Sequence, residues 1–230
     1  MPEMIADNLK SVTGRIAKCC EQIGRQVDSV NLIAVSKEAS ISQMEEALGA
    51  GATAFGENRV QDAVIKHRAI GDRAEWHMIG HLQTNKARDA VKIFSLIHSV
   101  DSIKLAKEID KEAARIGKRQ SILIEVNVSG EKSKFGISPD EAIGFLKEAV
   151  LYHNINIRGL MTIAPEAQDA ESVRPYFKAL RELLAKTRPI VEGISDGTDF
   201  SILSMGMTND FEVAIEEGAT EVRIGTALYQ

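Results

Sequence analysis

A single (β/α)8 TIM-type barrel, with an extra N-terminal helix standing in for the eighth outer helix, is the fold class this sequence predicts. Three observations carry that expectation. Short, strand-like apolar runs recur eight times, the first of them, Leu32 to Val35, rich in β-branched residues. Each stops at a polar or glycine-containing turn, and helical spacings of apolar residues fill the intervals, all within about 200 residues. A doubly wound open sheet uses the same alternation and is the alternative. No Pro/Gly/Ser linker or low-complexity stretch interrupts the chain. One domain over 1–230 is therefore expected, with the front helix in 1–26 and the barrel in 31–230.

The front helix is justified by Ile5, Leu9, Val12, Ile16, Cys19, Cys20 and Ile23, a helical stripe ended near Gly24. The first strand is Leu32 to Val35, which stops abruptly at Ser36-Lys37. A lysine there stands where α/β proteins place chemistry, just beyond a strand tip. Ser40 reads as an N-cap, with Ile41, Met44, Ala47 and Leu48 on the following helix. Strand two runs through Thr53-Ala54-Phe55 to Gly56-Glu57-Asn58, before a helix carrying Val60, Val64 and Ile65 on one face. Trp76 to Gly80 is strand three and Leu96 to Val100 strand four, with Asp101-Ser102 opening the next helix.

Residues 121–128 are the most strand-like run, leading into the polar loop 129–136. Ser138-Pro139-Asp140-Glu141 reads as a helix start with proline in its first turn. Strand six is 155–161 and a longer helix spans 170–186. Strand seven is 202–206, followed by Thr208-Asn209-Asp210 capping a helix through Val213 and Ile215. Strand eight is 221–224. Almost nothing follows it, so the front helix is expected to pack between the first and seventh helices and close the ring.

Composition narrows the classes. A net charge of -5 over 230 residues argues against a nucleic-acid partner. No apolar run approaches the roughly 20 residues that span a bilayer, and the acidic start lacks the features of a signal peptide. Cys19 and Cys20 are adjacent and poorly placed to bridge each other, which fits a reducing cytoplasm. A monomer is the expected state.

The strand tips of a barrel converge on one mouth. There the pattern places Lys37, Asn58, residues 77–81 with His77 and His81, Ser99, Asn127, Met161, Ser204-Met205-Gly206 and Arg223-Ile224-Gly225-Thr226. Serine, glycine and threonine after strands seven and eight, with Thr208 opening a helix, suit a phosphate. Beside the lysine this fits a phosphorylated aldehyde held as a Schiff base. His77 and His81 flank a strand-end glycine without an intervening acid pattern, so no metal is expected. Lys132 and Lys134 read as solvated loop cations, and Met161 and Met205 as pocket walls.

The segments AVSK at 34–37, FGENRVQ at 55–61, WHMIGHLQTNK at 76–86, SGEKSKFG at 129–136, RGLMTIAP at 158–165, LSMGMTND at 203–210 and VRIGTALY at 222–229 resemble the pyridoxal-phosphate homeostasis protein family. That family is itself similar to the barrel domain of alanine racemases. The resemblance runs nearly end to end and in order. It implies pyridoxal 5'-phosphate as cofactor, held as a Schiff base on Lys37. Arg223 would face the pyridine nitrogen, and Ser204, Gly206, Thr208, Gly225 and Thr226 would surround the phosphate. Asn58 would lie near the ring 3-oxygen. Thr208 departs from the family's serine but keeps the hydroxyl.

A cofactor carrier or buffer in vitamin B6 homeostasis, serving apo forms of pyridoxal-phosphate enzymes with little or no turnover, is the function implied. The alternative is an amino-acid racemase. Arginine against the pyridine nitrogen leaves the ring a weak electron sink. Racemases of this arrangement add a second base from a further β domain and partner chain, for which the sequence leaves no room. A non-covalent site for another phosphorylated metabolite is the third reading.

Overall fold

The structure is a computed structural model that describes residues 2–193 and 199–230, so Met1 of the front segment lies outside it. Eight parallel strands close on themselves in sequence order: β1 (Asn31–Val35), β2 (Ala54–Glu57), β3 (Glu75–Met78), β4 (Leu96–Val100), β5 (Gln120–Glu125), β6 (Ile155–Met161), β7 (Ile202–Ser204) and β8 (Glu221–Ile224). The seam is the pairing of β1 with β8, from Asn31 opposite Glu221 to Ala34 opposite Ile224. Closure removes the open-sheet alternative and leaves no unpaired edge.

The outer ring holds α2 (Ile41–Gly49), α3 (Val60–Ile70), α4 (Ala87–Ile93), α5 (Ile103–Arg115), α6 (Ala142–Ala149), α7 (Arg174–Glu192) and α8 (Phe211–Glu216). After β8 comes only a single turn, α9 (Thr226–Tyr229). The N-terminal α1 (Pro2–Gln22) packs against α2, α8 and α9. Its stripe of Ile5, Leu9, Val12, Ile16, Cys19 and Cys20 is buried. Polar contacts fix its register. Arg15 clamps Glu212 through Nε and Nη2, at 2.7 and 2.9 Å, and Asn8 donates to the Leu228 carbonyl at 3.2 Å. The thiol of Cys19 reaches the Glu212 carbonyl, and its burial pushes the thiol pKa up, away from reactivity.

Several local expectations shift. Ser40 caps α2 in a capping box with Gln43. Ile23, Ile41 and Ile65 face solvent instead of the core, Ile65 at 61% exposure. The α3 face that turns inward carries Val60, Ala63 and Ile70, small enough at its centre to sit close to the sheet. The turn at Ser138-Pro139-Asp140-Glu141 precedes α6 instead of opening it: Ser138 donates to the Glu141 carboxylate, and the helix begins at Ala142. Strand β5 stops at Glu125 because the loop after it folds back, Ile137 N–H donating to the Glu125 carbonyl at 2.9 Å. No helix among the described residues is long and apolar enough to cross a membrane.

Removing residues 1–26 should uncover α2, α8 and α9 and abolish cooperative melting, and Leu9→Ala alone should cost about 2–5 kcal/mol in urea unfolding. A chain starting at Asp28 that melted like the full protein would show that α1 is not what closes the ring.

Candidate functional site

The strand tips enclose a cavity of about 650 Å³, within the range of small-molecule sites. Lys37, Asn58, Thr208, Arg223, Gly225 and Thr226 all line it, so six of the eight residues expected from sequence meet in one place. Lys37 follows the end of β1 and keeps about half of its side chain exposed, its amine 3.6 Å from Glu38. The backbone behind it is pinned. Lys66 of α3 donates to the Ser36 carbonyl at 2.5 Å and to Glu57 at 2.8 Å, while Ser36 Oγ donates to the same Glu57 oxygen at 2.6 Å. These three groups, Ser36 and Glu57 buried and Lys66 partly so, fix the point at which the chain leaves the strand, and with it the root of Lys37. Asn58 is held by close approach: a side chain on Gly80 would collide with the Asn58 backbone.

Across the seam, Arg223 of β8 lies at the cavity floor, 4% exposed. Its guanidinium donates to Ser204 Oγ at 2.7 Å and to the Thr162 carbonyl at 2.8 Å. Burial pulls its pKa down, against Glu125, Asp210 and Glu221, which hold the charge in place. Desolvation in turn pushes those carboxyls up. Glu125 rises to about 7, with Asp101 adding to burial and Arg223 opposing it. Asp210, the N-cap residue of α8, accepts the Met207 N–H at 2.6 Å and so shapes the turn that presents Thr208 and Asn209.

Ser204 and Gly206 do not line the cavity, contrary to their expected place at the mouth. Ser204 is fully buried beneath it, holding Arg223 from below. Gly206, at φ 91°, lies against α8, where a side chain would fall 2.6 Å from Ala214 Cβ. The reason for Ser204 is depth: it faces the barrel interior one layer below the mouth, where it meets the Arg223 guanidinium. Other residues expected at the mouth are displaced as well. His77 points into the barrel interior, Met161 packs there with Leu96 and Leu123, and Met205 lies in the core between strands and helices. Ser99 is buried, and Asn127 anchors the following loop by accepting from Gly130 N–H and donating to the Glu131 carbonyl.

That loop is not simply solvated. Phe135 stacks on His81 at 3.9 Å between ring centres, and Lys134 lines the cavity, whereas Lys132 does not. Glu125, Phe135, Ala164 and Pro165 are lining residues that strand-end reasoning missed. Glu125 had a signal, an acid closing an otherwise apolar strand run. Phe135 had none, because only the folded loop carries it to the mouth.

A closed barrel with a lysine at the tip of its first strand and a buried arginine on its last defines a barrel of the alanine racemase type. The family described as alanine racemase, N-terminal domain, matches residues 12–230. A pyridoxal phosphate homeostasis protein of Aquifex aeolicus is 42% identical, the alignment covering 97% of this chain and 96% of that protein. Among solved structures, a protein of unknown function from Bifidobacterium adolescentis superposes with a TM-score of 0.92 at 36% identity, over 99% of this chain and 95% of that one. PipY of Synechococcus elongatus, solved with PLP bound, gives 0.83 at 34% identity, over 98% of this chain and all of that one. The chain belongs to the alanine racemase N-terminal domain family and, within it, to the pyridoxal phosphate homeostasis proteins.

Glu125 makes the site pH-sensitive. Its carboxyl keeps a proton up to about pH 7 when folded but releases it near 4.5 when unfolded, so stability present below 4.5 is lost as the pH rises to 7. Glu125→Gln should therefore leave stability unchanged at pH 4 and raise it by up to about 3 kcal/mol at pH 8, read by chemical denaturation at both values. An equal effect at the two pH values would remove Glu125 as the titrating group.

Proposed function

We propose that the cavity holds pyridoxal 5'-phosphate as a Schiff base on Lys37 and that the protein carries or buffers the cofactor with little or no turnover. The observation that carries this reading is the meeting of Lys37, Arg223, Thr208, Gly225 and Thr226 around one cavity. The donor set suits each part of that ligand. An exposed amine at a strand tip is available to an aldehyde, whereas the two hydroxyls and the turns at Thr208 and Gly225 suit a phosphate. Gly225 adds room: a side chain there would come within 3.2 Å of Val35 Cβ. Asn58 lies beside Lys37 for the ring 3-oxygen. A relative at 34% identity over nearly the whole chain, PipY, was solved with PLP bound.

Bound pyridoxal phosphate supplies an aldehyde carbon for an amine and a ring able to take up charge. Arg223 limits the second property here. A guanidinium keeps its protons, so it donates to the pyridine nitrogen and does not supply the protonated ring that stabilises a carbanion. In this reading Ser204 serves the cofactor through Arg223 instead of contacting the phosphate. Glu125 is the observation that favours the alternative, an amino-acid racemase, because it is a proton-carrying group in the cavity. Apo forms of pyridoxal-phosphate enzymes are the recipients the carrier reading names.

Added pyridoxal phosphate should give Schiff-base absorbance that borohydride fixes on Lys37, and Lys37→Ala should abolish it while leaving the melt unchanged. Thr226→Ala should weaken binding about ten- to a hundred-fold by removing one hydrogen bond to a charged group. Mass mapping of the adduct to Lys134 would overturn the assignment, and pyridoxal binding as tightly as its phosphate ester would overturn the cradle. In deuterated water, α-proton exchange of L-alanine at 1–10³ per second, roughly the usual enzymatic range, would establish the racemase instead. Transfer to an apo-enzyme beyond what free cofactor supplies is the outcome expected of a carrier.

A further inference from the structure

Beneath Arg223 the barrel interior holds an unbroken line of polar side chains, of which the cofactor reading uses only Ser204. Arg223 Nη1 lies 2.7 Å from Ser204 Oγ, Ser204 Oγ 2.9 Å from His98 Nδ1, and His98 Nε2 2.9 Å from His77 Nδ1. His77 Nε2 then lies 3.4 Å from Glu75 Oε2 at the opposite end of the barrel. Ser204 and His98 are fully buried and His77 nearly so, while the Glu75 side chain is 72% exposed.

The two ends of this line decide every proton within it. Arginine only donates and an ionised carboxylate only accepts. Ser204 Oγ accepts from Arg223, and its one proton goes to His98 Nδ1. That nitrogen is therefore bare, so His98 carries its proton on Nε2 and donates it to His77 Nδ1. His77 in turn carries its proton on Nε2 and donates it to Glu75, whose pKa that bond lowers. The reverse arrangement fails, because it strands the Ser204 proton and sets two acceptors, His77 Nε2 and Glu75, against each other. A charged His98 is disfavoured by burial, by His77 and by Arg223, all of which lower its pKa.

We propose that His98 and His77 are positioning residues: their one-way hydrogen-bond chain holds the Ser204 hydroxyl as an acceptor and thereby fixes the Arg223 guanidinium at the cavity floor. The proposal rests on the reading that Arg223 faces the cofactor ring. Glu221 lies beside the chain, with Oε2 3.4 Å from His98 Nε2 and 4.0 Å from His77 Nδ1. That oxygen has no hydrogen-bond partner among the described residues, and burial raises the Glu221 pKa while His77 and Arg223 oppose the rise. These three groups also outline a metal triad. Two features oppose a cation there: the histidine nitrogens are already at hydrogen-bond distance, and the Arg223 charge lies on the same strand two residues from Glu221.

The test begins with the protein free of cofactor. Long-range proton–nitrogen NMR should show both His77 and His98 in the Nε2–H form, and a slowly exchanging Arg223 side-chain signal. His98→Asn, which keeps a polar group in reach of Ser204, should retain that signal, and His98→Leu should lose it. Loaded with pyridoxal phosphate, His98→Leu should still form the Schiff base but bind about tenfold more weakly, the size of one hydrogen bond to a charged group. His98→Asn should recover most of that affinity, which a purely structural role would not predict. Either histidine in the Nδ1–H form, an Arg223 signal unchanged in His98→Leu, or a stoichiometric first-row metal in the purified protein would overturn the proposal. Should His98→Leu fail to fold, the wild-type tautomers decide it. Absence of any Schiff base in the wild type would refute the cofactor reading alone, since the tautomers are measured without it.

Discussion

A guanidinium buried in the middle of a barrel is the constraint around which the interior is arranged. A guanidinium holds its proton far above neutral pH, and an unpaired buried cation is strongly destabilising. The groups that face it answer that cost. Ser204 and the Thr162 carbonyl accept its protons, and Glu125, Asp210 and Glu221 surround it with carboxyls. Satisfying Ser204 in turn requires His98, and satisfying His98 requires His77. One charge on β8 thus explains polar residues on β3, β4, β5 and β7, at positions that other barrels fill with aliphatic layers. It also explains why Glu125 titrates near neutrality: the acids share a single compensating cation, so burial is only partly offset.

The same residue ties the seam to the site. Pairing of β1 with β8 sets Ile33 opposite Arg223, so Lys37 leaves the barrel on the strand next to the arginine. The Lys66–Glu57–Ser36 clamp fixes one side of that pair and Ser204 the other. From outside, α1 braces the closing strands by packing against α2, α8 and α9. The front helix therefore contributes to the geometry of a cavity it never touches.

The strand count, the closing helix, the Ser40 cap and the tip residues Lys37 and Arg223 were legible in the sequence, for a common reason. Each is announced by a change of character, where an apolar run gives way to a polar residue. What stayed hidden lies inside such runs. Parallel barrel strands are buried on both faces, so their sequences do not alternate, and nothing marks which side of β7 carries Ser204 or which side of β4 carries His98. Ser204 faces inward but lies one layer below the mouth, a depth that no local pattern marks. Ile65 was misassigned because a helix's inward face is chosen by its packing partner, and Ala63, a weaker hydrophobe, sits where the approach is close. Phe135 depends on a loop whose path is set by Asn127 and by its stack on His81, contacts across 7 and 54 residues that no local pattern encodes.

Holding and turning over a cofactor place opposite demands on a site, and the buried charge weighs on that choice. Carbanion chemistry gains from a ring nitrogen that is protonated, which calls for an acid beside it. This barrel presents a cation at its floor instead, held by the Ser204 hydroxyl and the Thr162 carbonyl, with the proposed one-way chain behind Ser204. A rigid, permanently charged donor favours binding of a ring with a free nitrogen lone pair and penalises any state in which that nitrogen gains a proton. Glu125 can carry a proton in the same cavity, yet its pKa is set partly by Arg223, so it cannot be tuned independently of that arginine. On the proposed reading, the interior that sustains the arginine charge fits retention of the cofactor better than catalysis with it.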